Sequence, residues 1–297
     1  MFKYGSMLTY ILSTALSLIV INQFEIQTNP SLVALISFLL CFLFFNLTNF
    51  NRFKIAHSVL FKSPIDFISI NTITAIIWIG TFWGLKYISP GIFVSIFMGV
   101  IPLASIFITT NKAKFQYKEI ILMLTLIFLT LGLASYESLK LVDFSKTVFY
   151  GLSLAVISGF FSAVYINYSQ KLQMKFNFIT LDFLCIRFYF VIATCFCFLF
   201  ISGDHITTES ILNKWYDFIF VSILTTIIPL YSLQKAILTL GGMQVSCLIT
   251  FTPLVAYLLQ ILTGFQFNII IFGIILIMSL LLIQYYRNIF YQKTRLG

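Results

Sequence analysis

Residues 94–103 read VSIFMGVIPL, and residues 245–254 read VSCLITFTPL. Both segments lie within apolar runs. In each, a Ser stands seven residues before a Pro: Ser95 before Pro102, and Ser246 before Pro253. The two segments are 151 residues apart, about half of the 297-residue chain. A match at this offset predicts that the chain consists of two related halves.

The same offset pairs polar and small positions in two other apolar runs, and a third pair of runs matches at a different offset. The spacing i, i+3, i+7 and i+10 places the four positions of each run on one face of a helix. The pairs are Asn71 with Ser222, Thr74 with Thr225, Trp78 with Pro229, and Thr81 with Ser232.

Composition excludes a soluble protein. Hydrophobic residues make up 60% of the chain and charged residues 9%, whereas soluble domains contain about 25% charged residues. A run of about 20 apolar residues is long enough to cross a bilayer as a helix. The sequence therefore predicts an all-α membrane protein with ten transmembrane helices, at 4–23, 31–50, 67–86, 90–110, 119–137, 147–168, 178–201, 215–235, 241–262 and 268–288.

The basic residues predict the orientation of these spans. With the N-terminus inside, 13 Lys and Arg residues fall on the cytoplasmic side and four on the outer side, with Arg187 set aside as intramembrane. The positive-inside rule therefore favours cytoplasmic N- and C-termini. The net charge of +9 comes from single basic residues between apolar runs, so it indicates topology rather than a nucleic-acid partner.

Each half contains five spans, in residues 1–137 and 147–297. Because five is odd, the second half must enter the membrane in the opposite orientation to the first. Such inverted repeats are characteristic of carriers that alternate access to a site near the middle of the bilayer. The alternative is chance recurrence of small and polar residues, which the agreement of three pairs of runs disfavours.

With these features the sequence resembles the drug/metabolite transporter superfamily, in its EamA group. The resemblance covers nearly the whole chain. It rests on ten short spans in a 5+5 arrangement, the KYIS motif at 86–89 and the two matched Pro segments. Spans two and seven of the family often carry an Arg-Phe pair. Here span seven has Arg187-Phe188, whereas span two departs from the pattern with Ser37-Phe38.

The resemblance implies a helix bundle around a central cavity, lined by spans three, four, eight and nine with one and six. It also implies a multi-pass transporter of the bacterial inner membrane that moves an amino acid or related small metabolite, with export favoured. Uptake or exchange of a nucleoside, nucleotide-like or adenosyl metabolite is the second hypothesis. A non-transporting membrane scaffold or receptor subunit is a third, from another functional class.

The polar faces of spans three and eight are the main candidates for substrate contact, because lipid penalises polar side chains. Helix packing is the alternative, since small residues such as Gly80 and Gly84 also mark interhelical contacts. The candidate substrate-binding residues are Asn71, Thr74, Trp78, Thr81, Tyr165, Arg187, Ser222, Thr225, Tyr231 and Ser232.

Three prolines within spans, Pro102, Pro229 and Pro253, are candidates for helix kinks or gating. Proline has no amide hydrogen, so it leaves a backbone carbonyl without its usual helical donor. Membrane helices also tolerate Pro where it only bends them.

Arg187 is a charge within a predicted span, roughly 12 Å of helix from the start of span seven. Such a residue is costly and indicates function by default. It is suited to attract a substrate carboxylate or phosphate, or to close a gate; snorkelling to the interface is the alternative. Asp182 is a poor intrahelical partner, because an i, i+5 pair points in different directions.

No sequence pattern supports an enzyme or an ATP-driven pump, since metalloprotease, nucleophile-elbow and P-loop motifs do not occur. The five cysteines lie in apolar runs and suggest neither disulfides nor a zinc site. His57 and His205 fall in predicted loops. We expect the lipid bilayer and a small-molecule substrate as partners, with no cofactor, no metal and no nucleic acid. Monomer and homodimer both stay open.

Overall fold

The structure is a computed structural model that describes residues 4–25, 29–109, 146–202, 215–262 and 268–295, with the single positions 121, 125, 129 and 132. Helix is the only regular secondary structure among these residues. The helices are α1 (Gly5–Glu25), α2 (Pro30–Thr48), α3 (Phe53–Lys62), α4 (Pro64–Tyr87), α5 (Pro90–Thr109), α6 (Lys146–Phe176), α7 (Thr180–Cys185), α8 (Tyr189–Ser202), α9 (Trp215–Ser222), α10 (Ile228–Leu240), α11 (Gly242–Leu248), α12 (Thr252–Leu262) and α13 (Ile269–Arg295).

Six helical stretches of the described chain are long and apolar enough to cross a membrane, and three further apolar helices are shorter. An unbroken helix satisfies its backbone groups internally, as the bilayer core requires. The chain is therefore an all-α, multi-pass membrane protein. The fifth predicted span, 119–137, lies outside the described residues apart from the four single positions.

The described residues between the second and third predicted spans include a helix, α3, so the loop predicted around His57 is wrong. Its Ala56 and Val59 are buried, whereas Phe61 is 84% exposed beside two exposed lysines. Apolar and basic side chains on one exposed surface are typical of a helix that lies in the membrane–water interface. With ten residues, α3 is too short to cross the bilayer, which takes a helix of about 20 residues.

Helices α4 and α5 both pack along α6 and also contact each other, and glycines allow these close approaches. A Cβ at Gly80 would overlap the Ser158 hydroxyl. A Cβ at Gly84 would lie only 2.4 Å from the nearest ring atom of Phe93, which is too close for two carbon atoms. A Cβ at Gly159 would lie 2.6 Å from the backbone oxygen of Phe97. Close packing is thus the role of these small residues.

Gly159→Ala is expected to destabilise the fold by about 1–3 kcal/mol, the usual cost of overpacking. The added methyl group meets the α5 backbone, which cannot rotate away as a side chain can. Gly273→Ala is the matched control, because a Cβ there meets nothing within 4 Å and Ala favours helix. Thermal unfolding in detergent compares the two variants, and an unchanged Gly159→Ala midpoint would contradict the packing described here.

Candidate functional site

The seventh predicted span is not one helix: α7 ends at Cys185 and α8 begins at Tyr189. Arg187 lies in the break between them. The Asn71 amide on α4 bridges this break, donating from Nδ2 to the Ile186 carbonyl (2.7 Å) and accepting from the Tyr189 amide at Oδ1 (3.0 Å). Asn71 thus satisfies backbone groups that a continuous helix would have paired internally.

Asn71→Ala is expected to lower stability by about 2–4 kcal/mol, because it leaves the buried Ile186 carbonyl and the partly buried Tyr189 amide without partners. A fully buried unpaired group costs about 1–3 kcal/mol, and a partly buried one costs less. Asn167→Ala is the control, since that amide donates to the Ala163 carbonyl of its own helix. Thermal unfolding in detergent measures both variants. Equal midpoints would show that Asn71 does not hold the break.

Arg187 is buried, with 2% of its surface exposed. Its Nη1 donates to the Tyr165 hydroxyl, and its guanidinium carbon lies 4.4 Å from the centre of the Tyr165 ring. The Tyr165 hydroxyl in turn donates to the Gln234 side-chain oxygen. Arg187 Nε has no hydrogen-bond partner among the described residues. Arg187 therefore does not snorkel to the interface, and it lies within a buried polar cluster.

The described part of the chain supplies no carboxylate to Arg187. The two ion pairs among the described residues are Arg52 with Asp182, at 2.7 Å, and Lys175 with Asp66, at 2.6 Å, and neither includes Arg187. A buried cation is costly when nothing compensates its charge. The cluster around Arg187 is thus suited to receive an anion.

A small cavity of about 60 Å³ lies beside Arg187. A cavity of this size holds a few water molecules, whereas pockets for small ligands measure roughly 300–1,000 Å³. Its polar and aromatic lining includes Tyr10, Thr14, Ser17, Trp78, Thr81, Ser162, Tyr165, Arg187 and Thr225. These residues come from spans one, three, six, seven and eight, with apolar residues from spans four and nine.

The predicted site residues divide into three groups. Six of them line the cavity: Trp78, Thr81, Tyr165, Arg187, Thr225 and Pro229. Tyr231 and Ser232 instead line a separate surface groove, and Pro253 lines a smaller pocket between α5 and α13. Asn71, Thr74, Ser222 and Pro102 are buried outside the cavity lining.

Three buried residues of the predicted set therefore have packing or backbone contacts in place of cavity contacts. Asn71 bridges the helix break, and Ser222 donates to the Phe218 carbonyl (2.6 Å). Pro102 lies inside α5, which continues unbroken through it. Side-chain direction decided these outcomes, because residues three or four apart on one face still diverge by tens of degrees.

Sequence reasoning did not select Tyr10, Thr14 and Ser17 of α1, or Ser162 of α6, as cavity residues. A signal was present for α1: positions 10, 14 and 17 follow the i, i+4, i+7 spacing of one helix face. Their small or aromatic side chains are common in membrane helices, so the spacing stands out only once the cavity is located.

Span eight changes its helical pitch next to the cavity. Residues Ile223–Ile227 form a π-helical turn between α9 and α10, and Pro229 follows within the first turn of α10. Proline removes one amide donor from the helix, and π turns often occur at functional sites. Thr225 lies in this turn, and its buried hydroxyl has no partner among the described residues.

A second polar cluster lies at the end of the bundle where α3, α4, α6 and α7 come together. Asp182 is fully buried and accepts three bonds from Arg52, one from the Asn49 amide (2.9 Å) and one from the Ile179 backbone at its own helix start. Asp66 accepts from Lys175 and from Tyr168, both at 2.6 Å. These bonds join the segment between α2 and α3 to α7, and the first turn of α4 to α6.

His57 links α3 to the same region, with its Nε2 2.7 Å from the Tyr189 hydroxyl. Burial lowers the pKa of His57 below the usual histidine value, which favours the neutral ring. Tyr189 is also the first residue of α8, so this contact reaches the edge of the helix break.

The described residues contain no group of three or more His, Cys, Asp or Glu side chains placed to hold a metal ion. Cys41, Cys185 and Cys195 are buried as free thiols, and Cys197 is exposed. Among the described residues, the charged side chains that are buried are Arg187 and Asp182.

Comparison with known proteins identifies the fold alone. No family model and no curated protein matches this chain. A protein of known crystal structure is similar to it, with a TM-score of 0.61 and 14% sequence identity. The match covers 94% of this chain and 91% of that chain. The two proteins therefore share their fold over nearly their whole lengths.

Proposed function

We propose that this protein is an alternating-access carrier of the drug/metabolite transporter superfamily, in its EamA group, and not an enzyme. It has ten spans in two inverted repeats, with both termini in the cytoplasm of a bacterial cell. Its substrate is a small metabolite that bears a carboxylate, with an amino acid as the leading candidate and export as the favoured direction.

The pairing of helices supports the inverted repeat. Spans three and four, α4 and α5, pack on span six. Spans eight and nine pack in the same way on span one, through contacts of α10 and α12 with α1. Exchanging the two halves of the chain therefore converts one set of contacts into the other, as two related repeats require.

The Asn71 and Ser222 positions support the same relation. They are 151 residues apart, and each reaches the corresponding point of the opposite repeat. Asn71 bonds on either side of Arg187 in span seven, whereas the Ser222 hydroxyl lies 3.4 Å from that of Ser37 in span two. Ser37 precedes Arg187 by 150 residues.

The observation that carries the proposal is the buried Arg187, which lies in a helix break beside the cavity without a carboxylate from the described chain. Carriers commonly form midplane sites from interrupted helices of this kind. The substrate supplies the missing negative charge. Because the cavity measures about 60 Å³, it must widen to admit a metabolite, which is the motion that alternating access provides.

Substrate counterflow in proteoliposomes tests the proposal with a panel of amino acids, nucleosides and nucleotides. We expect counterflow of amino acids or related carboxylates, whereas counterflow of nucleosides or nucleotides would favour the second hypothesis. A correctly inserted protein without counterflow of any of these solutes would contradict the carrier and favour a scaffold.

Trp78→Ala is expected to reduce this counterflow at least about ten-fold, because a large aromatic side chain that contacts a ligand contributes 1.4 kcal/mol or more. Trp83→Ala is the matched control. Trp83 is on the same helix but packs on Phe198, with ring centres 6.1 Å apart, and it does not line the cavity. Equal losses in both variants would indicate a general packing effect and contradict the site.

A further inference from the structure

A groove of about 670 Å³ opens on the surface of the bundle between α1, α2, α7 and α10. It is distinct from the cavity, because α10 separates them. Pro229, Leu230 and Leu233 face the cavity, whereas Ile228, Tyr231 and Lys235 face the groove. Its volume lies within the range of ligand pockets, so it accommodates a molecule much larger than the cavity does.

The groove is amphipathic along its length. Most of its exposed surface is apolar and includes Phe44, Ile227 and Ile228, with hydroxyl side chains such as Thr9 and Thr48 between them. At one end lies the exposed Lys235, with its ammonium group 5.8 Å from the centre of the Tyr231 ring. Lys235 belongs to neither ion pair of the described chain. The groove therefore combines a long apolar surface with one uncompensated positive charge at its end.

Lys235 lies five residues before the end of α10, close to the start of α1 at Gly5. The ends of membrane helices lie at the depth of lipid headgroups, and lysine side chains extend toward them. The surfaces beside the groove carry exposed apolar side chains such as Leu8 and Leu47. The groove thus opens to lipid along its side and to the headgroup region at the Lys235 end.

We propose that this groove binds one anionic phospholipid, with the phosphate against Lys235 and an acyl chain along Phe44, Ile227 and Ile228. Basic pockets between membrane helices recognise anionic headgroups in this way. A soluble anion gains nothing from the apolar wall, and an uncharged lipid gains nothing from Lys235. Both parts of the groove are used only by a lipid with a negative headgroup. The site is independent of the carrier function, since it lies on the opposite face of α10.

Native mass spectrometry of the full-length protein in detergent, titrated with phosphatidylglycerol or phosphatidylcholine, tests this site. We expect one phosphatidylglycerol to bind per chain, more tightly than phosphatidylcholine. Lys235→Gln should weaken phosphatidylglycerol binding about five-fold, the effect of one basic residue near a headgroup, and leave phosphatidylcholine binding unchanged. Lys86→Gln is the matched control, because Lys86 is also exposed over an aromatic ring, 5.6 Å from that of Trp83, but lies outside the groove.

Gly5→Trp provides a steric test, because a Cβ at this groove position meets nothing within 4 Å. The bulky side chain should lower the binding of both lipids. Unchanged phosphatidylglycerol binding in either Lys235→Gln or Gly5→Trp would overturn the proposal. So would equal affinity for the two lipids, displacement of the lipid by excess glycerol phosphate, or a protein dimer that excludes lipid.

Discussion

Arg187→Gln is expected to reduce counterflow of carboxylate substrates by about 10- to 100-fold. A hydrogen bond to a charged group contributes about 1.5–3 kcal/mol, and the buried guanidinium is the cation nearest the cavity in the described chain. Glutamine retains a donor for the Tyr165 hydroxyl but carries no charge. The loss should therefore fall on anionic substrates, whereas any uncharged solute that the protein carries should be affected much less.

Stability separates a substrate role for Arg187 from a structural one. Since no carboxylate of the described chain compensates Arg187, its removal should leave the midpoint of thermal unfolding unchanged or raised. Arg187→Lys, which retains the charge but loses the planar fork, should recover part of the transport. Full carboxylate counterflow in Arg187→Gln, or a lowered midpoint with equal losses for all solutes, would contradict the proposed charge recognition.

Arg52→Ala is expected to produce the largest loss of stability from a single side chain in the cluster of ion pairs. It leaves the fully buried Asp182 carboxylate without its cation. Breaking a buried ion pair costs about 3–5 kcal/mol, and about 2–3 kcal/mol is expected here because the Arg52 side chain is 39% exposed to solvent. Thermal unfolding in detergent should show a midpoint several degrees lower.

Two further variants show whether the loss arises from the ion pair. Lys54→Ala removes an exposed charge two residues away and should have little effect. Arg52→Ala combined with Asp182→Asn removes both charges and should recover much of the stability, because no buried charge stays uncompensated. If the double variant lost as much stability as Arg52→Ala and Asp182→Asn lose in sum, the two residues would not interact and the ion pair would not be the cause.

The all-α membrane class was predictable because apolar composition is a local property of the chain. The helix at α3 was not, since its short amphipathic pattern resembles neither a span nor a typical polar loop. The break at Arg187 had no local signal either, as residues 178–200 contain neither Pro nor Gly. In contrast, Pro229 marked a real irregularity, the π turn in span eight, whereas Pro102 lies in an unbroken helix.

Of the candidate site, the polar residue types and their faces were visible in the sequence, and six predicted positions line the cavity. The structural role of Asn71 could not be predicted, because its partners Ile186 and Tyr189 lie more than 110 residues away in the sequence. The sequence disfavoured Asp182 as a partner for Arg187 from their spacing on one helix, and Asp182 does pair elsewhere, but α7 ends before Arg187, so that spacing is not the reason. It contained no indication that Arg52 would pair with Asp182 instead.

The sequence by itself determined that helices of this chain cross the membrane and which of their positions are polar. Hydrophobicity acts on each segment separately, so these properties can be read without knowing the neighbours. Only the tertiary structure decided which polar groups meet: Asn71 with the helix break, Arg187 with Tyr165, and Arg52 with Asp182. In an apolar interior most polar groups are paired, and how the helices pack decides which partner each one has.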